Sequence, residues 1–261
     1  MGGTHFLPFT AHRLYIAAAG NGGFAGVFRF SSIVGYAQKD TISSGNAMLS
    51  AQFAAISAND GSATLADLTV GGYEPYDEEE DEGGTSGSFN IQFLSSSGTT
   101  EAQYYWYDDD VKTGWFTRSG EASDSVKLDA GKGIWVSGKG LSLTSAGAVN
   151  ENDILITTRS SGNQAVANTT PVNLKLSQIA VTGYDPYDEE EDEGGTSGSF
   201  NIQFLTSSGT TSAQYYWYDD DVKTGWFDRA GNNANDVEIP AGTGVWVSGK
   251  GLTVRIPAPE L

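Results

Sequence analysis

The chain lacks cysteine altogether and has few basic residues. With no Cys among 261 residues, disulfide bonds, Cys-ligated zinc, iron–sulfur clusters and cysteine nucleophiles are excluded. Only 14 Lys and Arg stand against 33 Asp and Glu, which gives a formal net charge of −19. Because phosphate contacts require clustered Lys and Arg, and no such cluster is visible, we expect no nucleic-acid partner.

Long apolar runs and histidines are also scarce. The sequence has no run of about 18–20 apolar residues of the kind that spans a bilayer, so we expect no membrane span. Residues 1–10 lack the charged-then-apolar order of a secretory signal, which leaves any export route open. The only histidines are His5 and His12, and no Ser is placed with a His and an acid in a catalytic pattern. We therefore expect no enzyme.

An internal duplication dominates the sequence. The segment GYEPYDEEEDEGGTSGSFNIQFL at residues 72–94 recurs as GYDPYDEEEDEGGTSGSFNIQFL at 183–205, and 43 of 47 positions are identical between 72–118 and 183–229. A weaker match upstream repeats SerSerGlyAsn of 43–46 at 160–163. The spacing predicts a leader at 1–31 followed by two domains, at 32–146 and 147–261.

Alternating apolar and polar residues predict strands throughout both repeats. In residues 88–94, Phe89, Ile91 and Phe93 would lie on one face of a strand, with Asn90 and Gln92 on the other. Turn-rich segments separate about seven or eight such strands per repeat, and no window has a convincing helical period. The predicted fold is all-β, with two tandem β-sandwich (jelly-roll-like) domains and an N-terminal β-hairpin or arm.

The leader has no counterpart before the second repeat. It resembles a hairpin with an aromatic second strand, and such a strand needs a sheet to cover it. In one interpretation the leader completes the first domain. In the other, it pairs with a neighbouring subunit by β-strand addition, and the subunit interface contains Leu14, Ile16, Phe24, Phe28 and Phe30.

The negative charge is concentrated in two clusters per repeat. Residues 77–82 and 188–193 form acidic runs, and 108–110 and 219–221 form Asp triplets; these clusters hold 18 of the 33 acidic residues, and the other 15 nearly balance the 14 Lys and Arg. Six adjacent carboxylates repel one another unless water or a cation screens them. Oxygen ligands of this kind suit Ca²⁺, although the acidic runs could equally be solvated loops. The candidate Ca²⁺ ligands are Asp77, Glu78, Glu79, Glu80, Asp81, Glu82, Asp108, Asp109, Asp110, Asp188, Glu189, Glu190, Glu191, Asp192, Glu193, Asp219, Asp220 and Asp221.

One strand in each repeat carries aromatic residues on both faces. TyrTyrTrpTyr occupies 104–107 and 215–218, and only one face of such a strand can contribute to a core. The other face is covered by a loop or the adjacent domain, forms a subunit interface, or provides a platform for sugar stacking.

Four motifs occur in both copies of the repeat: GlyTyr-x-ProTyr, TyrTyrTrpTyr, GlyTrpPhe and AlaGly-x-Gly-x-TrpValSer. In these features the chain resembles duplicated all-β domains of bacterial secreted, surface or appendage proteins. The resemblance covers residues from about 32 to 261 and implies a scaffold or assembly subunit. We therefore expect a structural subunit that self-assembles into an extracellular or cell-surface filament or layer. A virion or phage structural protein and a tandem carbohydrate-binding module with a glycan partner are the alternatives.

Overall fold

The structure is a computed structural model that describes residues 34–40, 46–50, 63–138, 140–159 and 162–259. Within these ranges the secondary structure consists of antiparallel strands and two short 3-10 helices, so the all-β prediction is confirmed. No helix in this part of the chain is long and apolar enough to cross a membrane. The leader at 1–31 lies outside the described residues, together with the interface residues predicted there: Leu14, Ile16, Phe24, Phe28 and Phe30.

The strands of the first repeat form one large and two small sheets. In chain order they are β1 (Val34–Asp40), β2 (Asn46–Leu49), β3 (Ala63–Thr64), β4 (Leu68–Gly71), β5 (Thr85–Leu94), β6 (Thr100–Asp108), β7 (Thr113–Phe116), β8 (Lys127–Leu128), β9 (Ile134–Ser137) and β10 (Ser142–Ala148). The five-stranded sheet has the order β2-β9-β5-β6-β7, the three-stranded sheet has the order β1-β10-β4, and β3 pairs with β8.

The second repeat has the same strands in the same arrangement. They are β11 (Ile154–Thr157), β12 (Asn163–Ala167), β13 (Leu174–Lys175), β14 (Ala180–Thr182), β15 (Thr196–Leu205), β16 (Thr211–Asp219), β17 (Thr224–Asp228), β18 (Glu238–Ile239), β19 (Gly244–Ser248) and β20 (Thr253–Ile256). Its sheets have the orders β12-β19-β15-β16-β17, β11-β20-β14 and β13-β18. The duplication in the sequence is therefore a duplication of topology.

Each repeat has its own hydrophobic core. In the first repeat, the buried residues of the five-stranded sheet, such as Phe89, Ile91 and Trp115, pack in one cluster with Leu68 and Leu143 of the three-stranded sheet. A second cluster combines the equivalent residues of the second repeat. Burying apolar surface contributes roughly 25 cal/mol per Å², so each repeat carries its own stabilising core. The assignment of the repeats to two independently folding sandwich domains stays a prediction.

The connection between the repeats follows β10. The boundary that the sequence places between residues 146 and 147 falls inside this strand, which pairs with β1 up to Ala148. The connecting residues are 149–153, and β11 begins at Ile154. Asp153, at the end of the connection, accepts a hydrogen bond of 2.6 Å from Nε of Arg255 on β20.

Candidate functional site

The acidic run of each repeat folds into a tight turn. In the first repeat, the N–H of Asp77 donates to the carbonyl oxygen of Glu82 and the N–H of Asp81 donates to that of Asp77, both at 2.9 Å. Oδ1 of Asp77 also accepts hydrogen bonds from the N–H groups of Glu79 (2.8 Å) and Glu80 (3.3 Å). All six side chains of the run are exposed, which keeps their charges solvated.

The tyrosine that precedes the acidic run forms a hydrogen bond with a carboxylate of that run. The hydroxyl of Tyr76 donates to Oδ1 of Asp81 at 2.8 Å. This hydrogen bond, followed by partial burial and the negative charges of Asp81, Asp110 and Glu78, raises the pKa of Tyr76 to about 12. In the second repeat Tyr187 donates to Asp192 at 2.9 Å, and its pKa is likewise raised to about 12.

The Asp triplet forms the turn between β6 and β7. Oδ1 of Asp109 accepts the N–H groups of Val111 (3.0 Å) and Lys112 (2.9 Å), so this carboxylate stabilises the turn itself. Asp108 accepts the hydroxyl of Thr113 at 3.2 Å. Asp110 lies exposed at the tip beside Val111, whose side chain is 81% exposed. The second repeat repeats this turn with Asp219, Asp220 and Asp221, in which the first two accept the same hydrogen bonds.

The two acidic clusters of a repeat lie side by side. Oδ2 of Asp108 accepts a hydrogen bond from the N–H of Tyr76 at 3.4 Å. Gly84 lies at the junction with a φ of 76°, and a Cβ there would overlap the carbonyl oxygen of Asp108. Glycine is thus required for this close approach. Gly195 and Asp219 have the same relation in the second repeat.

The structure thus places the acidic run and the Asp triplet of each repeat next to each other, but their carboxylates do not point towards a common position. Among the described residues, no group of three or more His, Cys, Asp or Glu side chains is arranged to hold a metal ion. Several of the carboxylates instead accept backbone N–H groups of their own turns, as Asp77 and Asp109 do.

The aromatic strand β6 contributes one face to the core. Phe89, Ile91 and Phe93 of β5 pair with Trp106, Tyr104 and Ala102 respectively, and all six residues belong to the core cluster or pack against it. Nε1 of Trp106 donates to the hydroxyl of Tyr73 at 2.7 Å. The prediction that one face of TyrTyrTrpTyr contributes to the core is confirmed.

The other face of the sheet carries Tyr105 and Tyr107 of β6. The ring of Tyr107 lies against Gly87 of β5, where a Cβ would be 3.0 Å from its Cζ and hydroxyl. Nζ of Lys112 is 3.5 Å from the centroid of the same ring, a favourable cation–π distance. The ring of Tyr107 therefore packs against residues of its own repeat. Tyr218, Gly198 and Lys223 form the same contacts in the second repeat.

A network of amide side chains lies beside these tyrosines, and the sequence analysis did not identify it. Oδ1 of Asn90 accepts hydrogen bonds from Nε2 of Gln92 (3.0 Å) and Nε2 of Gln103 (2.8 Å). Oε1 of Gln92 in turn accepts the hydroxyl of Thr100 at 2.7 Å. The only signal in the sequence was that Asn90 and Gln92 alternate with core residues. Asn201, Gln203, Gln214 and Thr211 form the same network in the second repeat.

The two repeats are joined by backbone hydrogen bonds that obey a local two-fold symmetry. The N–H of Asn46 donates to Ser207, and that of Asn163 donates to Ser96; the N–H of Ser50 donates to Gly242, and that of Ala167 donates to Gly131. In each pair, the donor and acceptor of the second bond are the residues of the other repeat that correspond to the donor and acceptor of the first. The edge strands β2 and β12 also form equivalent bridges across the junction, Leu49 with Thr243 and Val166 with Lys132. Such a contact is isologous, like that of a symmetric dimer.

A small apolar cluster lies at this junction. Trp135 and Trp246 point away from the core of their own repeat, and they are only 8% and 6% exposed because they pack in one cluster with Met48 and Ala165. The adjacent repeat therefore covers the outer face of the sheet at Trp135 on β9 and Trp246 on β19; the covering of the outer face of TyrTyrTrpTyr on β6 and β16 stays a prediction.

A cleft of about 410 Å³ opens on the same junction. Its lining comes from both repeats and consists of six two-fold-related pairs together with Asn46: Asn46, Gln92, Leu94, Ser97, Gly98, Thr100, Trp135, Gln203, Leu205, Ser208, Gly209, Thr211 and Trp246. None of these side chains is charged. The turns at 95–99 and 206–210, closed by hydrogen bonds such as that from Ser95 N–H to Thr99 oxygen at 2.8 Å, provide parts of its wall.

Comparison of the chain with protein-family models, with curated proteins and with solved structures found no match. Function is therefore argued from the geometry of the chain itself.

Proposed function

We propose that the chain is a structural subunit that self-assembles into a filament or surface layer outside the cell. The single observation that supports this proposal is the junction between the repeats, where the edge strand of one copy of the fold pairs through backbone hydrogen bonds with another copy. A fold whose edges pair with a second copy of itself within one chain is suited to assembly between chains.

The described sheets retain edges that could receive another strand. Each three-stranded sheet ends at β1 and β4 or at β11 and β14. The outer edges of β7 and β17 are instead occupied by the segments that follow them, through hydrogen bonds from Ser123 N–H to Trp115 oxygen and from Ala234 N–H to Trp226 oxygen. Exposed edges favour pairing with further strands. In this proposal, the leader at 1–31 supplies such a strand to the next subunit, and Phe24, Phe28 and Phe30 cover apolar surface there. A contact of this head-to-tail kind continues as an open polymer unless its rotation closes a ring.

Electron microscopy of the purified protein tests the proposal. Regular polymers of the intact chain, lost on deletion of residues 1–31, would support it. A virion structural protein would form the same kind of polymer, and location of the protein in its source distinguishes the two. Monodisperse particles of the intact chain at every concentration would contradict self-assembly.

We also propose that Ca²⁺ binds the paired acidic clusters and stiffens this end of each repeat. The exposed carboxylates of Glu78, Asp81 and Asp110 surround Tyr76 closely enough for each to raise its pKa, and oxygen donors of this kind suit Ca²⁺. Rotation of exposed side chains would be needed, since no three carboxylates of the described residues converge as they stand. Binding to the native state alone would raise the Tm through linkage. Millimolar Ca²⁺ should therefore raise the Tm and EDTA should reverse the shift, whereas an unchanged Tm would leave the turns as solvated loops.

A tandem carbohydrate-binding module is the second candidate. The observation that favours it is the uncharged cleft at the junction, with amides, hydroxyls and two tryptophans in its lining.

A further inference from the structure

The cleft between the repeats has the size and chemistry of a ligand site. Its volume of about 410 Å³ lies within the range of roughly 300–1,000 Å³ that is typical of small-molecule sites. Two leucines and the exposed parts of two tryptophans supply apolar surface, while Gln92, Thr100, Gln203 and Thr211 supply hydrogen-bonding groups. The lining is more polar than that of a typical drug-sized pocket, which favours a ligand rich in hydroxyl groups.

The amide groups beside the cleft are held in fixed orientations. Gln92 is held at both ends of its amide, by Asn90 at 3.0 Å and by Thr100 at 2.7 Å. Gln203 is held in the same way by Asn201 and Thr211, both at 2.9 Å. Groups that are already ordered lose little conformational entropy when a ligand binds.

Part of the hydrogen-bonding capacity of this face is open to a ligand. Oδ1 of Asn90 accepts two hydrogen bonds, but within the described chain no group accepts a hydrogen bond from its Nδ2, and the atom is not buried. Tyr105 lies opposite Asn90 on β6. Among the described residues, no ring or cation makes with the half-buried ring of Tyr105 the contacts that occupy Tyr107. Asn201 and Tyr216 repeat this pair on the other side of the two-fold axis.

The charges restrict the class of ligand. None of the lining residues is charged, so the cleft contains no partner for a phosphate, carboxylate or ammonium group. The net charge of −19 further disfavours approach of an anionic chain. An uncharged sugar matches the lining, because its hydroxyls both donate and accept hydrogen bonds and its C–H groups pack on apolar surface.

We propose that the cleft binds an uncharged oligosaccharide, which contacts Gln92 and Gln203 inside it and extends along the outer sheet face towards Tyr105 and Tyr216. A sugar chain has a direction, whereas the lining is two-fold symmetric apart from Asn46. The chain can therefore bind in either of two opposite orientations, with equivalent contacts. This inference rests on the second candidate function, the carbohydrate-binding module, and is independent of the self-assembly proposed above; its failure would remove the former and leave the latter untouched.

The test measures binding of the full chain to short uncharged oligosaccharides of glucan, mannan, xylan and chitin type by isothermal titration calorimetry, with oligogalacturonate as the anionic probe. We expect at least one uncharged probe to bind and the anionic probe not to bind. Loss of two ordered hydrogen-bonding groups in the double variant Gln92→Ala, Gln203→Ala should weaken binding by about tenfold or more. The single variants Gln92→Ala and Gln203→Ala should weaken it to a similar extent, because the two-fold axis relates Gln92 to Gln203 in the lining.

A matched pair of variants distinguishes a loss of binding at the cleft from a general effect of Thr→Ala substitutions on the fold. Thr100→Ala with Thr211→Ala removes the hydroxyls that hold the two glutamines and should weaken binding. Thr69→Ala with Thr182→Ala makes the same change at exposed positions on the three-stranded sheets and should leave it unchanged. The inference is overturned if no uncharged probe binds at millimolar concentration, if the double glutamine variant keeps its Tm and its affinity, or if only the anionic probe binds.

Discussion

The two-fold junction between the repeats makes a quantitative prediction about the second repeat alone. A fragment of residues 147–261 retains its own core but loses the first repeat, which covers Trp246 and Ala165. The hydrogen bonds of the junction can be restored by a second fragment, because Asn163 pairs with Ser96 and the residue equivalent to Ser96 is Ser207. We therefore expect the folded fragment to form a symmetric dimer.

The strength of this dimer should depend on Trp246. Tryptophan is among the residues enriched at interface hot spots, which contribute at least about 2 kcal/mol each. If Trp246 is such a residue, its two copies in the dimer make Trp246→Ala cost about 4 kcal/mol, or roughly a thousandfold in Kd. The dimer should also be weaker than the junction of the intact chain, since Ala165 takes the place of Met48 in one half of the cluster.

Sedimentation velocity over a concentration series measures this directly. The fragment should shift from monomer to dimer as its concentration rises, and the Trp246→Ala fragment should remain monomeric over the same range. Val222→Ala, which shortens a side chain that is 81% exposed in the turn between β16 and β17, serves as the control and should dimerise normally. A folded fragment that stays monomeric at all concentrations would refute the two-fold argument, and an unfolded fragment would refute the independence of the repeats.

Two further predictions concern the acidic end of each repeat. Gly84→Ala should lower the unfolding free energy by at least about 1–2 kcal/mol, the cost of a left-handed residue, with a further cost from overlap with Asp108. The control Gly120→Ala has a φ of 89° and no neighbour within 4 Å, so it should cost less. Equal losses of Tm in the two variants would contradict the packing at Gly84. Because the folded-state pKa of Tyr76 is raised from 10.0 to about 12, its contribution to stability is complete below pH 10 and is lost as the pH rises towards 12. Urea unfolding from pH 9 to 12 should therefore show a smaller fall in stability for Tyr76→Phe with Tyr187→Phe, and identical profiles would contradict the hydrogen bonds to Asp81 and Asp192.

Local patterns in the sequence predict the strands and their core faces well. The alternation of Phe89, Ile91 and Phe93 identifies the buried face of β5 because side chains alternate strictly along a strand. On β6 the same rule separates Tyr104 and Trp106 from Tyr105 and Tyr107, but it does not say which pair faces inward, since all four residues are aromatic. These features depend only on period and hydrophobicity, which are visible in the chain itself.

Features that depend on contacts between distant segments could not be predicted in this way. Trp135 faces away from its own core, and only the position of the second repeat explains its burial. The amide network on Asn90 joins β5 to β6 through a register that the sequence does not specify. The acidic run forms a turn because Asp77 accepts the N–H groups of Glu79 and Glu80, a local preference of aspartate that charge counting overlooks.

Electron microscopy of the intact chain beside residues 32–261 tests the proposed self-assembly most directly. The account predicts regular polymers of the intact chain and dispersed, folded particles of the shortened chain, with similar Tm values for the two. Polymers that persist without residues 1–31 would contradict the proposed strand exchange, and an intact chain that never forms polymers would contradict self-assembly itself.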